Sequence, residues 1–492
     1  MDKRITTVIS ENRWFLGAFV GVSTAYLASF FSAGNVTANA ALGSIVVLAV
    51  ILAFTRSFTL GMAVVLSELV AGSLGRLFTF PVGGLSVRMA LFTVVMVATA
   101  VFCLRDRESR EYLKKKALVA LFVVIAVLIG WGVARGWWIN GLVKMVSDAN
   151  AYLYFAMLPA FMLAFRKRHD RARLIQTILG ATTATAALTL LVFFLFTHAT
   201  PEPILRAVYK WVRDYGLGEI TRAPGGFYRV FFQAHIWNFI VCLMAPALIV
   251  RNWKGRRAWT LWLAGALSVA VLFVCFSRTL WLSAAIAGVV GLVLVSVLKT
   301  LRTHWWKYLT ALAVICAIGL AWPFLLSRTV GGAALARAGS FGGEAAVDSR
   351  MNLLKVMWPA ILEHPYLGSG FGKELTYVTR DPRLLAYFPD GNYTTSAFEW
   401  GWLDFWLKLG FLAPLAFLLL VVTIGRLAKD RLMAATDDGR SLALALLLAL
   451  VGISIAHVAS PWLNHPLGIG FLLLGYSILN ASEPQDGTAT RT

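Results

Sequence analysis

The strongest constraint on this chain is a succession of apolar stretches, each close to the length that crosses a lipid bilayer. They fall at about 15–33, 40–54, 57–75, 87–104, 117–134, 150–165, 176–197, 227–250, 258–276, 280–298, 308–325, 402–424, 441–459 and 464–480. A hydrocarbon core takes roughly 20 helical residues to span, and its backbone groups must bond one another, which helices allow. The expected fold class is all-α: a polytopic integral membrane protein of about 12–14 transmembrane helices. A hydrophobic fraction of 59% against 14% charged residues excludes an ordinary soluble domain. The stretch at 40–75 reads either as one hairpin or as a broken helix. The first apolar stretch has no small-residue cleavage site in a suitable place, so it reads as a span and not as a removed signal. Cys103, Cys242, Cys275 and Cys316 lie in apolar stretches without CxxC spacing, where packing is the expected role.

The net charge of +21 raises nucleic acid as a partner, but the charges sit in the wrong places for it. Runs such as 105–116 and 166–173 separate apolar stretches. Alternate connectors, together with both ends, hold about 27 of the 45 Lys and Arg residues, the bias of cytoplasmic loops. This places both termini in the cytoplasm, and no nucleic acid is expected.

By the same alternation the longest polar interruption, 326–400, faces outward. It gathers Arg328, Arg337, Arg350, Lys355, His364, Lys373, Arg380 and Arg383. Its segment 348–364 reads as a short helix with Asp348 or Ser349 as N-cap. A second outward connector, 198–226, contains ILRAVYKWVRDY, whose apolar spacing suits an interfacial helix.

Several residues could carry chemistry at that face. Arg278, in Ser277-Arg278-Thr279, opens a span; its planar fork of donors suits phosphate, and it reads equally as a snorkelling helix end. Arg222 and Arg229 flank the glycine turn of TRAPGGFYR, where they suit an anion or an interfacial anchor. Arg350 opens the loop helix, with a solvated face as the plain alternative. Glu399 and Asp404 lie where a span begins, and partial burial there is expected to raise a carboxyl pKa and suit it to general base work. Asp390 and His364 are weaker acceptor-side candidates. Glu68 reads as a buried hydrogen-bonding carboxylate, and His235 and Asn238 as satisfied core groups. EHPYLGSGFG lacks the Lys-Ser/Thr ending of a P-loop, so ATP binding is rejected. No metal-ligand spacing appears outside, and neither metal nor cofactor is expected.

In their order, Arg222-Ala-Pro-Gly225-Gly-Phe227, SRT at 277–279, Arg350 followed by HPYLGSGFG, and the junction EWGWLDFWLKLGFLAPL resemble the O-antigen ligase/polymerase superfamily. The resemblance covers roughly 220–425. It implies 1–220 as N-terminal transmembrane helices, 221–425 as the ligase/polymerase-like core with periplasmic loop 326–400, and 426–492 as C-terminal helices and tail. It further implies a GT-C type inverting glycosyltransferase of the bacterial inner membrane, working on the periplasmic face without metal. The donor would be an undecaprenyl-diphosphate-linked glycan, and the acceptor a glycan or glycolipid. Membrane lipid and envelope-polysaccharide assembly proteins would be its other partners. By that resemblance Arg278 and Arg350 grip the donor diphosphate with Arg222 in support, and a junction residue activates the acceptor. The ligase pattern places a His-Asn pair eleven residues before a Gly; counting back from Gly410 gives Glu399-Trp400. The missing histidine favours a polysaccharide polymerase, or a related ligase, over a ligase acting on lipid A-core: either Glu399 takes the base role or the acceptor is activated differently, with Asp404, Asp390 and His364 on the acceptor side. A lipid-linked oligosaccharide flippase is the alternative from another class, against which stands the lack of internal repeats or midplane polar groups.

Overall fold

The computed structural model describes residues 12–81, 85–114, 119–222, 226–253, 255, 258–327, 331–332, 345–380, 382–434 and 437–481. Among them, nine helices are long and apolar enough to cross a membrane, and four shorter apolar helices pack with them. The protein is an all-α polytopic membrane protein in its bundle, as the apolar spacing predicts.

The first helices are α1 (Arg13–Phe31), α2 (Val36–Arg56), α3 (Phe58–Ala71) and α4 (Val87–Arg105). Asn35 starts α2 by accepting a hydrogen bond from the Ala38 amide. A single extended residue, Ser57, separates α2 from α3. Gly43, early in α2, lies against Phe78 and Phe80 just past the end of α3. The stretch at 40–75 is therefore a hairpin.

After α5 (Arg107–Lys114) and α6 (Val119–Asn140), the chain returns in pieces. These are α7 (Leu142–Ala149), a 3-10 segment (Asn150–Met157) and α8 (Leu158–Ala164). The continuous span expected at 150–165 is thus broken; Pro159, in the first turn of α8, has no N–H to carry an α-helix through that point. The long α9 (Arg168–Thr197) runs through the middle of the bundle, with Thr183 and Thr189 bonding their own helix's carbonyls at 2.7 and 2.8 Å. Outside it lies α10 (Glu202–Asp214), the amphipathic helix anticipated there.

The second group is α11 (His235–Arg251), α12 (Ala258–Val274), α13 (Arg278–Val297) and α14 (Trp305–Leu326). The loop helix α15 (Ala345–Glu363), the junction helix α16 (Gly401–Leu409), α17 (Leu412–Ala434), α18 (Asp437–Ala459) and α19 (Pro466–Asn480) complete it. Two antiparallel hairpins, which the sequence analysis did not foresee, lie between helices: β1 (Gly218–Arg222) with β2 (Tyr228–Phe232), and β3 (Leu375–Val378) with β4 (Asn392–Thr395). Their aromatic and β-branched residues suit a half-buried pleat better than a helix. The helix expected from Asp348 or Ser349 already includes Ala345, so Ser349 lies inside it and not at its N-cap. Its hydroxyl accepts the Arg380 amide at 2.8 Å.

His235 and Asn238 are core groups: the His235 Nε2 meets the Thr189 hydroxyl at 2.8 Å, and Asn238 Nδ2 donates to Thr182 O and Ser268 Oγ. Glu68 is a buried partner of Arg88, whose Nε and Nη2 donate to its two oxygens at 3.1 and 3.0 Å. Arg88 Nη1 also donates to Ser73 O at 2.8 Å. Removing one partner of such a pair strands the other charge. Glu68→Ala is expected to lower stability by about 3–5 kcal/mol, read as a lower unfolding midpoint of the detergent-solubilised protein.

The chain between α15 and β3 docks by its backbone. Phe371 N donates to Gly132 O at 3.1 Å, Ser369 N to Leu407 O at 2.7 Å and Gly370 N to Lys408 O at 2.9 Å. Trp131 Nε1 donates to Leu367 O at 2.8 Å, and Asn140 Nδ2 to Ser369 O and Phe371 O. The glycines of LGSGFG are thus a packing device: Gly370 has φ +79°, and a Cβ there would collide with the backbone of Gly136. Gly370→Ala should cost at least ~1–2 kcal/mol from the left-handed conformation alone, and urea or thermal unfolding against wild type would measure it.

Candidate functional site

Arg350 and Glu399 come together although 49 positions separate them: Arg350 Nε donates to Glu399 Oε2 in an ion pair. Two elements set this up. On α15, Leu353, Met357, Ala360 and Ile361 form one apolar face, which packs with Phe398 and Leu407 into a small core distinct from that of the bundle. Around Glu399 the chain alternates: Phe398 points in, Glu399 out, and Trp400 is half-buried and donates its Nε1 to Arg350 O at 3.0 Å. The ion pair is left at the rim, with 32% and 49% of the two side chains exposed. Glu399 is therefore not the partly buried carboxylate that the sequence suggested. Among the described residues the Arg350 guanidinium makes no other hydrogen bond, so its terminal amines face outward. Beside it, Arg380 Nη1 donates to Asp348 at 2.8 Å, and Asn352 Nδ2 to Val378 O at 3.0 Å.

Arg278 stands on the bundle. The turn before it holds Phe276 at φ +52°, a conformation that a bulky residue adopts only when its surroundings fix it. Here Phe276 stacks on Phe227 at 4.1 Å and meets Trp281 at 5.5 Å. Arg229 Nε donates to Cys275 O at 2.8 Å, which ties the β1–β2 hairpin to this turn and gives Arg229 an anchoring role. Arg222, at the end of β1, is exposed. Among the described residues no ion pair joins Arg278 or Arg222 to Glu399. The turn at 223–225 and the positions of Arg328 and Arg337 lie outside the described residues.

The acceptor-side candidates disperse. Asp390 accepts from the Asn392 amide and side chain at 3.1 and 2.9 Å, shaping the tip before β4. Its neighbour Gly391 accepts the Thr379 amide, and Thr379 touches Ser349, so Asp390 lies on the Arg350 side of the loop. His364 is 14 residues beyond Arg350 along the loop helix, roughly 21 Å away. Asp404 is buried and faces inward.

Asp404 belongs to a network that the sequence analysis missed. Lys408 Nζ lies 2.7 Å from Asp148, 2.8 Å from Asp404 and 2.9 Å from Ser396 O. Asn464 Nδ2 donates to Asp404 at 2.6 Å, and Gly372 N to Asp148 at 2.8 Å. The i, i+4 spacing of Asp404 and Lys408 was a readable signal; Asp148, 260 positions away, left none. Near the junction His457 of α18 lies against Gly401, fully buried, its Nδ1 accepting the Leu463 amide at 3.1 Å. It packs beneath the junction and does not open onto the rim.

Residues 263–418 match the family model described as O-antigen ligase. That stretch, about a third of the chain, is similar to O-antigen ligases. It begins within α12 and ends early in α17, so it contains Arg278, Arg350, Glu399, Asp390, His364 and Asp404, while Arg222 precedes it. The resemblance to the O-antigen ligase/polymerase superfamily thus rests on the part of the chain that builds the Arg350–Glu399 pair. No curated protein matches the chain.

Burial pushes the Asp404 carboxyl up to about 6; Lys408 opposes this, and Asp148 adds to it. A folded-state pKa above the unfolded value means that the native state binds the proton more tightly. The associated stability is present below about pH 4 and is lost as pH rises through about 6, on the order of 3 kcal/mol in all. Unfolding midpoints between pH 4 and 7 should fall with rising pH in wild type and flatten in Asp404→Asn.

Proposed function

We propose that the protein is an inverting glycosyltransferase of the inner membrane, working on the periplasmic face. It moves a glycan from an undecaprenyl-diphosphate carrier to an acceptor sugar hydroxyl as a polysaccharide polymerase. The observation that carries this reading is the Arg350–Glu399 pair, a cation and a carboxylate held at an open rim within the stretch similar to O-antigen ligases. In the reaction the acceptor hydroxyl attacks the anomeric carbon from the face opposite the diphosphate. The new C–O bond forms as the bond to diphosphate breaks, the hydroxyl proton passes to Glu399, and the electron pair leaves with the diphosphate. Arg350 donates from its free terminal amines to that developing charge, and Arg278 supports it from the bundle, with Arg222 an outlying contact. Donors fixed in place before the reaction stabilise departing charge without reorganising, which is why they are worth several kcal/mol.

Glu399 at the junction, in place of a histidine, favours polymerase over transfer to lipid A-core. The positive connectors support an outward loop with both termini inside.

Reconstitution with undecaprenyl-diphosphate glycan and an acceptor glycan tests the reading. Arg350→Ala, Arg278→Ala and Glu399→Gln should each reduce product formation about 10²–10³-fold, and Arg350→Lys should restore little because the planar fork is lost. Full product from the arginine variants would remove them from the donor site. Carrier crossing the bilayer without a new glycosidic bond would identify a flippase instead.

A further inference from the structure

A cavity of about 730 Å³ lies between α1 and α3, with α2 and the start of α9 closing its sides. It shares no lining residue with the candidate site, and its basic mouth lies at the other end of the bundle. Its mouth holds Arg13 and Arg173. Twenty residues of α9, roughly 30 Å, separate Arg173 from Phe193, where the helix packs against Phe227 of the β1–β2 hairpin.

The cavity is mostly apolar, with Arg13 and Arg173 at one end and Ser67 and the Arg88-paired Glu68 towards the other. Its α1 wall is Gly17, Gly21 and Ala25, and its α3 wall includes Leu60, Ala63 and Val64. Gly17 and Gly21 are exposed, and a Cβ on either would meet nothing within 4 Å, so the cavity opens sideways toward the bilayer. From Arg13 to Ala25 it runs twelve helical residues, roughly 18 Å, close to the ~15 Å of hydrocarbon in one leaflet. At the mouth, Arg13 is exposed and makes no ion pair among the described residues. Arg173 sits over the Trp14 ring at 5.3 Å and touches Asp170 at 3.4 Å. One carboxylate thus faces two guanidinium groups.

We propose that this cavity is a binding site for one anionic phospholipid of the leaflet opposite the transfer site. An acyl chain fills the slot along Gly17 and Gly21, and the headgroup phosphate meets Arg13 and Arg173. The mostly apolar slot favours an acyl chain, it is deep enough for one leaflet's chain, and the guanidinium charge at its mouth selects an anionic head over a zwitterionic one. The occupant is a resident lipid and not the glycan carrier at work, since its head lies at the far face.

Native mass spectrometry of the full chain, delipidated and titrated with phosphatidylglycerol, phosphatidylcholine or a polyprenyl phosphate, tests the proposal. One phosphatidylglycerol should be retained tightly and phosphatidylcholine roughly tenfold or more weakly. Gly21→Leu fills open space, so it should fold as wild type and lose the lipid. Arg13→Gln, at an exposed position, should erase the preference for phosphatidylglycerol over phosphatidylcholine while the protein stays folded. Equal retention by wild type and Gly21→Leu would overturn the site. No preference between the two phospholipids in wild type, or a polyprenyl phosphate displacing phosphatidylglycerol, would overturn its occupant. These readouts are independent of glycosyl transfer, so they stand or fall apart from the proposed activity.

Discussion

One buried ammonium, that of Lys408, is the point on which the outer part of this protein is assembled. It draws together Asp148 after the sixth helix, Asp404 on its own helix and the Ser396 carbonyl at the end of the second hairpin. Through those carboxylates it reaches Asn464 and the Gly372 amide. A charge removed from water costs several kcal/mol unless its hydrogen bonds are satisfied, so Lys408 tolerates its position only while all these segments are in place. The loop is bound to the bundle as one cooperative unit, with its charges spent internally at the base and left free at the rim.

That division explains why two carboxylates five residues apart behave differently. Asp404 looks inward and serves the joint; Glu399 looks outward and meets Arg350. The strand-like alternation through Phe398, Glu399 and Trp400 sets the outward orientation of Glu399, and the turn into α16 sets the inward one of Asp404. The buried Lys408 cluster and the Arg350–Glu399 pair at the rim therefore lie side by side, kept apart by the Phe398 and Leu407 core.

The bundle was legible in the sequence because its signal is local: twenty apolar residues announce a helix wherever they occur. So were the amphipathic helix at 202–214 and the loop helix, by their spacing. Arg350 and Glu399 were legible as residue types at suggestive places, but their pairing was not, because nothing in either segment encodes a partner 49 positions away. The break at 150–157 was hidden because an apolar run has no marker of helical continuity beyond its proline. LGSGFG could be dismissed as a phosphate loop, yet its real task needed the facing Gly132 and Gly136, two residues unremarkable in their own helix. The expected burial of a junction carboxylate is met at Asp404 and not at Glu399: burial is a property of what packs against a residue, and sequence gives only the residue.

The strap at 365–372 has a consequence for how such a protein can change. Its grip on the bundle uses its own main-chain amides and carbonyls, its glycines where no Cβ fits, and the buried side chain of Phe371. A loop attached this way is modular. Its outward residues can be exchanged while the glycines and the Lys408 joint keep the same seat, so the rim can vary without renegotiating the architecture beneath it.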